Sequence, residues 1–393
     1  MKITITVQEI KDIFKTAASF ASSKMFAFTN LYMETGKKGL LIRSSNEHIE
    51  YAALIPATPE AEGKVGVSAS QMHKLISKLP DGEVTLTQED TKLTIKQGKK
   101  RYSLPTSDTI LKMTFASLQS EGDVSSAICQ ASELHNTIAR VQDFTGELAG
   151  IDCVKIARED DQVTMAGLDG HKMGYIKTEL NGMAAILEDD ILIASILMNQ
   201  ALRWLNKLGD ASVATTFDAK RMFMQTVNAD TNIREELSIP LQADTKDFPN
   251  LSVIVSKVAD KKNVLQMDRL EMLTALDRLS IFTSKENRGV TLSPSENELA
   301  MDIEHSGTGK AGEVVPAFFE GKLDKITFPV DGLMAILSKF TSDTINFNFT
   351  AEMGPCSIAG ADGDEGYLCI IMPMKTNDNS NYEEEEVEER QAA

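Results

Sequence analysis

The residue types that do chemistry are sparse in this chain and poorly spaced for it. Five histidines, His48, His73, His135, His171 and His305, are scattered through 393 residues. No HxxxH or HExxH pair would set two metal ligands on one helical face. The four cysteines, Cys129, Cys153, Cys356 and Cys369, include no CxxC pair. They fit neither a disulfide framework nor a zinc site, and read as small buried apolar residues in a reducing compartment. No metal or cofactor is therefore expected. The best arrangement for acid–base work is Asp169 two residues before His171, since a carboxylate beside an imidazole can serve proton transfer. No nucleophile in an elbow context accompanies the pair, and the glycine between them suits a turn equally well. No Walker loop occurs, so nucleotide hydrolysis would have to come from a separate protein. The expectation is a protein that is not an enzyme.

The bulk composition bounds what remains. A length of 393 residues favours two or three domains of about 100 to 200 residues each. The hydrophobic share of 42% and charged share of 25% are those of a soluble globular chain. No stretch approaches the roughly 18 consecutive apolar residues that would span a bilayer. The start, Met-Lys-Ile-Thr-Ile-Thr-Val, alternates like a strand and does not resemble a secretory signal, which predicts a cytoplasmic protein. With 58 acidic against 40 basic residues the net charge is −18, which taken alone argues against nucleic acid. A sum hides its distribution, however, and a basic stripe inside an acidic exterior is compatible with it.

The elements that must position any site occur in three copies. A helix-like segment followed by a turn and alternating strands appears at Ser70–Pro80, again at Asn199–Leu208, and again at Asp331–Phe340. Each third also opens with apolar residues at helical spacing: Ile10, Ile13, Phe14 and Ala17; Leu134, Ile138 and Val141; Leu270, Leu273, Leu276 and Leu279. A strand-rich run follows each. The repeat is helix, strands, helix, strands over about 125 residues, which is domain size and not solenoid size. Three similar α+β domains are predicted, at 1–124, 125–254 and 255–376. Aligning the second helices on Leu79, Leu208 and Phe340 brings Lys78, Lys207 and Lys339 into register, with Lys74 and Arg203 four residues earlier in the first two copies and Ala335 in the third. In the first helices, aligned on Phe20, Phe144 and Phe282, Arg140 and Arg278 coincide, with Lys11 and Lys15 nearby in copy one. Cations four apart share a helix face. Such a face would contact phosphates without reading bases.

At this point the sequence resembles the bacterial DNA polymerase III beta subunit, the sliding clamp family, over residues 1–376. The most specific match is the ending Tyr367-Leu-Cys-Ile-Ile-Met-Pro-Met374, followed by Gly167-Leu-Asp-Gly-His-Lys-Met173. Weaker matches are Leu148-Ala-Gly-Ile-Asp, Leu79-Pro-Asp-Gly and Asp247-Phe-Pro-Asn. The resemblance implies a clamp fold of three tandem similar domains and a head-to-tail homodimeric ring, with helices lining the hole and sheets outside. Its partners would be encircled duplex DNA, the replicative polymerase, a clamp loader, and repair or translesion proteins carrying clamp-binding peptides, with no membrane. The basic positions Lys11, Lys15, Lys74, Lys78, Arg140, Arg203, Lys207, Arg278 and Lys339, and Lys24 where the family often has a DNA-contacting arginine, would face the DNA. The partner-peptide pocket would be formed by Ile151, Leu168, Gly170, His171, Lys172 and Met173 with Ile370, Ile371, Met372, Pro373 and Met374.

Departures from the family pattern are also visible. Ser23-Lys-Met-Phe-Ala-Phe28 replaces an apolar Pro-Ile-Leu stretch, and Ser256 stands where a pocket-lining proline is usual. The chain runs on past the usual end through residues 377–393, with Glu383–Glu386, a composition that cannot bury enough apolar area to order itself. Two alternatives compete with the clamp: a hydrolase built on duplicated α+β domains, dependent on Asp169 or His171, and a scaffold that never encloses DNA.

Overall fold

The computed structural model describes residues 1–21, 28–107, 125–243, 247–260, 262–284, 288–305 and 309–374. Lys24 and the acidic tail at 377–393 lie outside them.

In the first third, β1 (Lys2–Thr6) leads into α1 (Val7–Ser19), then β2 (Asn30–Gly36), β3 (Gly39–Ser45), β4 (Glu50–Ile55) and β5 (Gly63–Ser68). The helix α2 (Ala69–Lys78) and β6 (Glu83–Glu89), β7 (Lys92–Gln97) and β8 (Lys100–Ser107) complete it. The middle third runs β9 (Ala127–Gln130), α3 (Ala131–Gln142), β10 (Cys153–Glu159), β11 (Gln162–Leu168), β12 (Lys172–Thr178), a single-turn α4 (Met183–Ile186) and β13 (Ile191–Ala194). It continues with α5 (Ser195–Leu208), β14 (Ser212–Phe217), β15 (Arg221–Val227) and β16 (Arg234–Pro240). After a short α6 (Leu251–Ser256), the last third begins with β17 (Asn263–Asp268), α7 (Arg269–Ser280), β18 (Gly289–Pro294), β19 (Glu298–His305), β20 (Gly309–Glu320) and β21 (Ile326–Pro329). It closes with α8 (Val330–Leu337), β22 (Thr344–Phe349), β23 (Cys356–Gly360) and β24 (Tyr367–Ile371). Each third is thus strand, helix, four strands, helix, three strands.

Local sequence explains these choices. Lys-Ile-Thr-Ile-Thr alternates, and β1 turns Ile3 and Ile5 inward. In α1 the buried residues Ile10, Ile13, Phe14 and Ala17 form one stripe, and the helix packs against α2, whose own buried residues include Met72 and Ile76. All four cysteines are buried and free. The third opening helix departs from expectation. A strict three-residue step drifts by about 60° per step around a helix of 3.6 residues per turn, so Leu270, Leu273, Leu276 and Leu279 do not share the core face. Met272, Ala275, Leu276 and Leu279 do, and Leu270 is 54% exposed.

By internal contacts the chain divides into unit 1 (Met1–Ile138, Ala157–Val163 and Glu179–Asp244) and unit 2 (Ala139–Ile156, Thr164–Thr178 and Thr245–Ala393). In unit 1 one sheet runs β1-β6-β7-β8-β5-β2-β3-β4-β16-β15-β14-β9. In unit 2 the order is β10-β11-β12-β24-β23-β22-β17-β20-β19-β18-β21. In both, one repeat joins the next by the same antiparallel seam. The fourth strand of copy one, β4, pairs with the last strand of copy two, β16, from Arg234↔Leu54 to Ser238↔Glu50. The corresponding strand of copy two, β12, pairs with the last strand of copy three, β24, from Lys172↔Ile371 to Ile176↔Tyr367. Two counterparts are left over. Along Lys100–Pro105 the strand β8 pairs only with β7, and along 309–316 the strand β20 pairs only with β19, among the described residues.

Candidate partner pocket and basic helix faces

The seam between β12 and β24 positions most of the expected pocket residues in unit 2. Register sets Lys172 opposite Ile371 and Met173 opposite Ile370. The ladder extends one step further, because the Met372 N–H donates to the His171 carbonyl at 2.8 Å, and the Met374 N–H then donates to the Thr327 carbonyl on β21 at 2.8 Å. Backbone bonds at both ends hold Met372–Met374 while the side chains stay available: Met372 is 38% exposed, and Pro373 and Met374 are half-buried. Ile370 and Ile371 are buried in the sheet. Ile151 and Leu168 are drawn together by Gly146, whose N–H is shared between their carbonyls at 2.8 and 3.0 Å. A Cβ on Gly146 would lie 2.8 Å from Ile151 Cδ1 and 3.1 Å from Asp169 Cα. Sequence reasoning missed Gly146, since a single glycine after a helix carries no pattern. Ser256 ends α6, exposed, with its hydroxyl donated to the Val253 carbonyl at 2.9 Å.

Asp169 and His171 are arranged for a turn and not for proton transfer. Asp169 Oδ1 accepts the backbone N–H groups of His171 (2.9 Å) and Lys172 (2.8 Å), while Oδ2 lies 3.2 Å from Lys172 Nζ. Gly170 between them has φ of +91°, which glycine adopts without strain. Asp218 caps the β14–β15 hairpin in the same way, accepting from Lys220 and Arg221 at 2.7 and 2.6 Å, with no histidine present. The motif belongs to hairpin geometry.

The basic positions fall into two kinds. Arg140 is 20% exposed, reaches Asp364 Oδ1 at 2.7 Å and lies 4.9 Å from the Tyr367 ring centroid. The Tyr367 hydroxyl donates to the Arg140 carbonyl at 2.9 Å, and Cys369 Sγ lies 3.2 Å from that hydroxyl. Burial pushes the Cys369 thiol up to about 12, which keeps it protonated and unreactive. Lys339 is paired with Asp143 and donates to the Ala139 carbonyl at 3.0 Å. Arg278 forks onto Glu313, with Nε to Oε1 at 2.8 Å. Lys11 pairs with Asp81 at 3.2 Å. Lys207 donates to Thr16 Oγ1 at 2.7 Å and lies 3.6 Å from Glu235, a carboxylate that also accepts from Tyr51 (2.7 Å) and Trp204 (3.4 Å). Lys15, Lys74, Lys78 and Arg203 are exposed, and none has an ion-pair partner among the described residues.

Two family models match the chain: DNA polymerase III beta subunit, N-terminal domain, over residues 1–109, and the C-terminal domain of the same subunit over residues 259–375. The chain belongs to the DNA polymerase III beta subunit family. Among relatives, the beta sliding clamp of Synechococcus elongatus is 21% identical over 353 residues, 88% of this chain and 90% of that one. The beta sliding clamp of Vibrio cholerae is 22% identical over 392 residues, 95% and 100% of the two chains. The crystal structure of the DNA polymerase III subunit beta from Pseudomonas aeruginosa superposes with a TM-score of 0.83 at 16% identity, covering 96% of this chain and all of that one. The fold is therefore the α+β clamp fold, and the family is one of sliding clamps and not of hydrolases. No helix among the described residues is long and apolar enough to cross a membrane.

Proposed function

We propose that this beta clamp closes head to tail with a second copy into a ring around duplex DNA, and tethers the replicative polymerase there. The observation that carries the reading is the pair of leftover strand edges. Both seams inside the chain join a fourth strand of one repeat to the last strand of the next, and β20 and β8 are the fourth strand of copy three and the last strand of copy one. A second copy offering β8 to β20, and β20 to β8, repeats that seam twice and pairs both leftover edges, as a closed cyclic assembly requires. The three repeats at 1–124, 125–254 and 255–376 are the domains of this reading, so two chains contribute six.

Helix cations supply the DNA contact, which is sequence-blind and salt-sensitive. Long residence then comes from topology, since leaving requires the ring to open, and the net charge of −18 repels DNA from the outside. The pocket residues from Ile151 to Met173 and from Ile370 to Met374 receive short linear peptides of polymerase, clamp loader and repair or translesion proteins in the cytoplasm. Met372 and Met374, unbranched and adaptable, suit a site that accepts several related peptides.

The test is retention on nicked circular DNA after incubation with a cognate loader, followed by linearisation and gel filtration in moderate salt. Protein that stays with the circle and leaves the linear form is the expected result. Protein that stays on neither, or equally on both, overturns encirclement in favour of a scaffold.

A further inference from the structure

The cations that repeat along the helices differ in how they are already employed. In unit 2, Arg140, Arg278 and Lys339 each hold a carboxylate of the same unit: Asp364, Glu313 and Asp143. Arg278 keeps the Glu313 carboxyl below its usual range through that hydrogen bond, so both partners are ionised at neutral pH. In unit 1, Lys15 on α1, Lys74 and Lys78 on α2, and Arg203 on α5 carry no such partner among the described residues. Two of these converge. A cleft of about 640 Å³ is lined by Lys15, Arg203 and Lys207, with Asp12 as its one carboxylate. On the other flank of Lys15 lies a second cleft of about 520 Å³, lined by Ser68, Ser70 and His73. The floor of the first contains Phe20 and Trp204, 4% and 2% exposed. Rings so deeply covered cannot stack a base, so the cleft suits a phosphate and reads no sequence.

A phosphate approaching a cation that already holds a carboxylate must displace it or share it, and releases little condensed counterion in doing so. A cation without a partner contributes its whole charge. We propose that the phosphate contacts of the duplex are made by unit 1, through Lys15 and Arg203 at the α1–α5 cleft and Lys74 and Lys78 on α2, while Arg140, Arg278 and Lys339 serve the fold of unit 2. This rests on the DNA-encircling reading. The duplex then slides over few phosphate contacts, supplied by unit 1 of either chain.

The experiment is a salt titration of the full-length protein on a labelled linear duplex, read by fluorescence anisotropy between about 50 and 200 mM salt. For Lys15→Ala, Arg203→Ala and Lys74→Ala, the slope of log K against log salt should become shallower by about 0.9 for each phosphate that is no longer neutralised. Arg203→Lys should keep the wild-type slope. Arg278→Ala, which alters an exposed pair, should also keep it, and unchanged circular dichroism certifies that each variant is folded. An Arg278→Ala slope reduced as much as that of Arg203→Ala overturns the assignment, as does a slope indifferent to both Lys15→Ala and Arg203→Ala. If the wild type is nevertheless retained on circles, only this inference falls; if the wild type binds no duplex at all, the encircling reading falls and takes this one with it.

Discussion

Asp364 illustrates how a single buried residue can anchor a unit from within. It is buried, and its carboxylate accepts from Arg140 (2.7 Å), the Thr341 hydroxyl (2.8 Å) and the backbone N–H groups of Thr341 (2.9 Å) and Ser342 (2.8 Å). Burial raises its pKa, but the donors, led by Ser342 and completed by Arg140, outweigh burial and hold it below the usual carboxylate range. A depressed value means that its contribution is complete above the unfolded carboxylate value of about 4 and is lost as pH falls through the lower folded value. Asp364→Asn keeps the shape but leaves Arg140 without its charge partner, and should cost about 3 kcal/mol in urea unfolding at neutral pH. Its stability should also fall less than that of the wild type between about pH 4 and pH 2. Equal acid sensitivity in both proteins would assign the acid loss to other carboxylates.

At the scale of elements, the β12–β24 seam depends on how the chain enters β24. Gly366 has φ of +74°, and a Cβ there would lie 2.0 Å from the Lys177 carbonyl oxygen, while the Lys177 N–H donates to the Gly366 carbonyl at 2.9 Å. Only glycine lets the two backbones approach this closely. Gly363, three residues earlier, shares the conformation with φ of +82° but has nothing within 4 Å of an added Cβ. Gly363→Ala should therefore cost about 1 kcal/mol, from conformation alone, and Gly366→Ala about 2 kcal/mol or more. Thermal unfolding measures both. Faster hydrogen exchange at Tyr367–Ile371 in the Gly366 variant alone would locate the damage in the seam that carries Met372–Met374.

The scale of the whole molecule is governed by edges. Thr106 donates its N–H to Thr91 at the β7 side, so by antiparallel alternation the N–H groups of Arg101 and Ser103 point to the open side of β8. Pro105 has the same orientation and, lacking an N–H, forfeits no bond to β7. Ser103→Pro would remove one donor from the open edge and none from the interior of unit 1. If the proposed ring forms, the expected variant keeps wild-type circular dichroism and sediments as a monomer at concentrations where the unaltered chain sediments as a dimer. A Ser103→Pro protein that remains dimeric would place the joint elsewhere.

Much of this architecture was legible locally. The alternation Lys-Ile-Thr-Ile-Thr, the stripe Ile10, Ile13, Phe14 and Ala17, and the threefold recurrence of helix and strand runs depend on neighbours within two to four residues, where side-chain period alone selects the structure. The Met372-Pro-Met ending and the segment Gly167–Met173 were equally visible, as the stretches that carry the family resemblance. What the sequence could not decide was which cations are free. Lys339 and Asp143 are 196 residues apart, and Arg140 and Asp364 are 224 apart. No spacing rule reaches across such separations, because they are closed by strands pairing in register and helices packing on sheets. The same holds for Gly146, which matters only because Ile151 and Asp169 arrive beside it, and for Leu270, whose exposure follows from the rotation of α7 on its core. Periodicity is a property of the chain, whereas charge pairing and strand edges are properties of the fold that the chain makes.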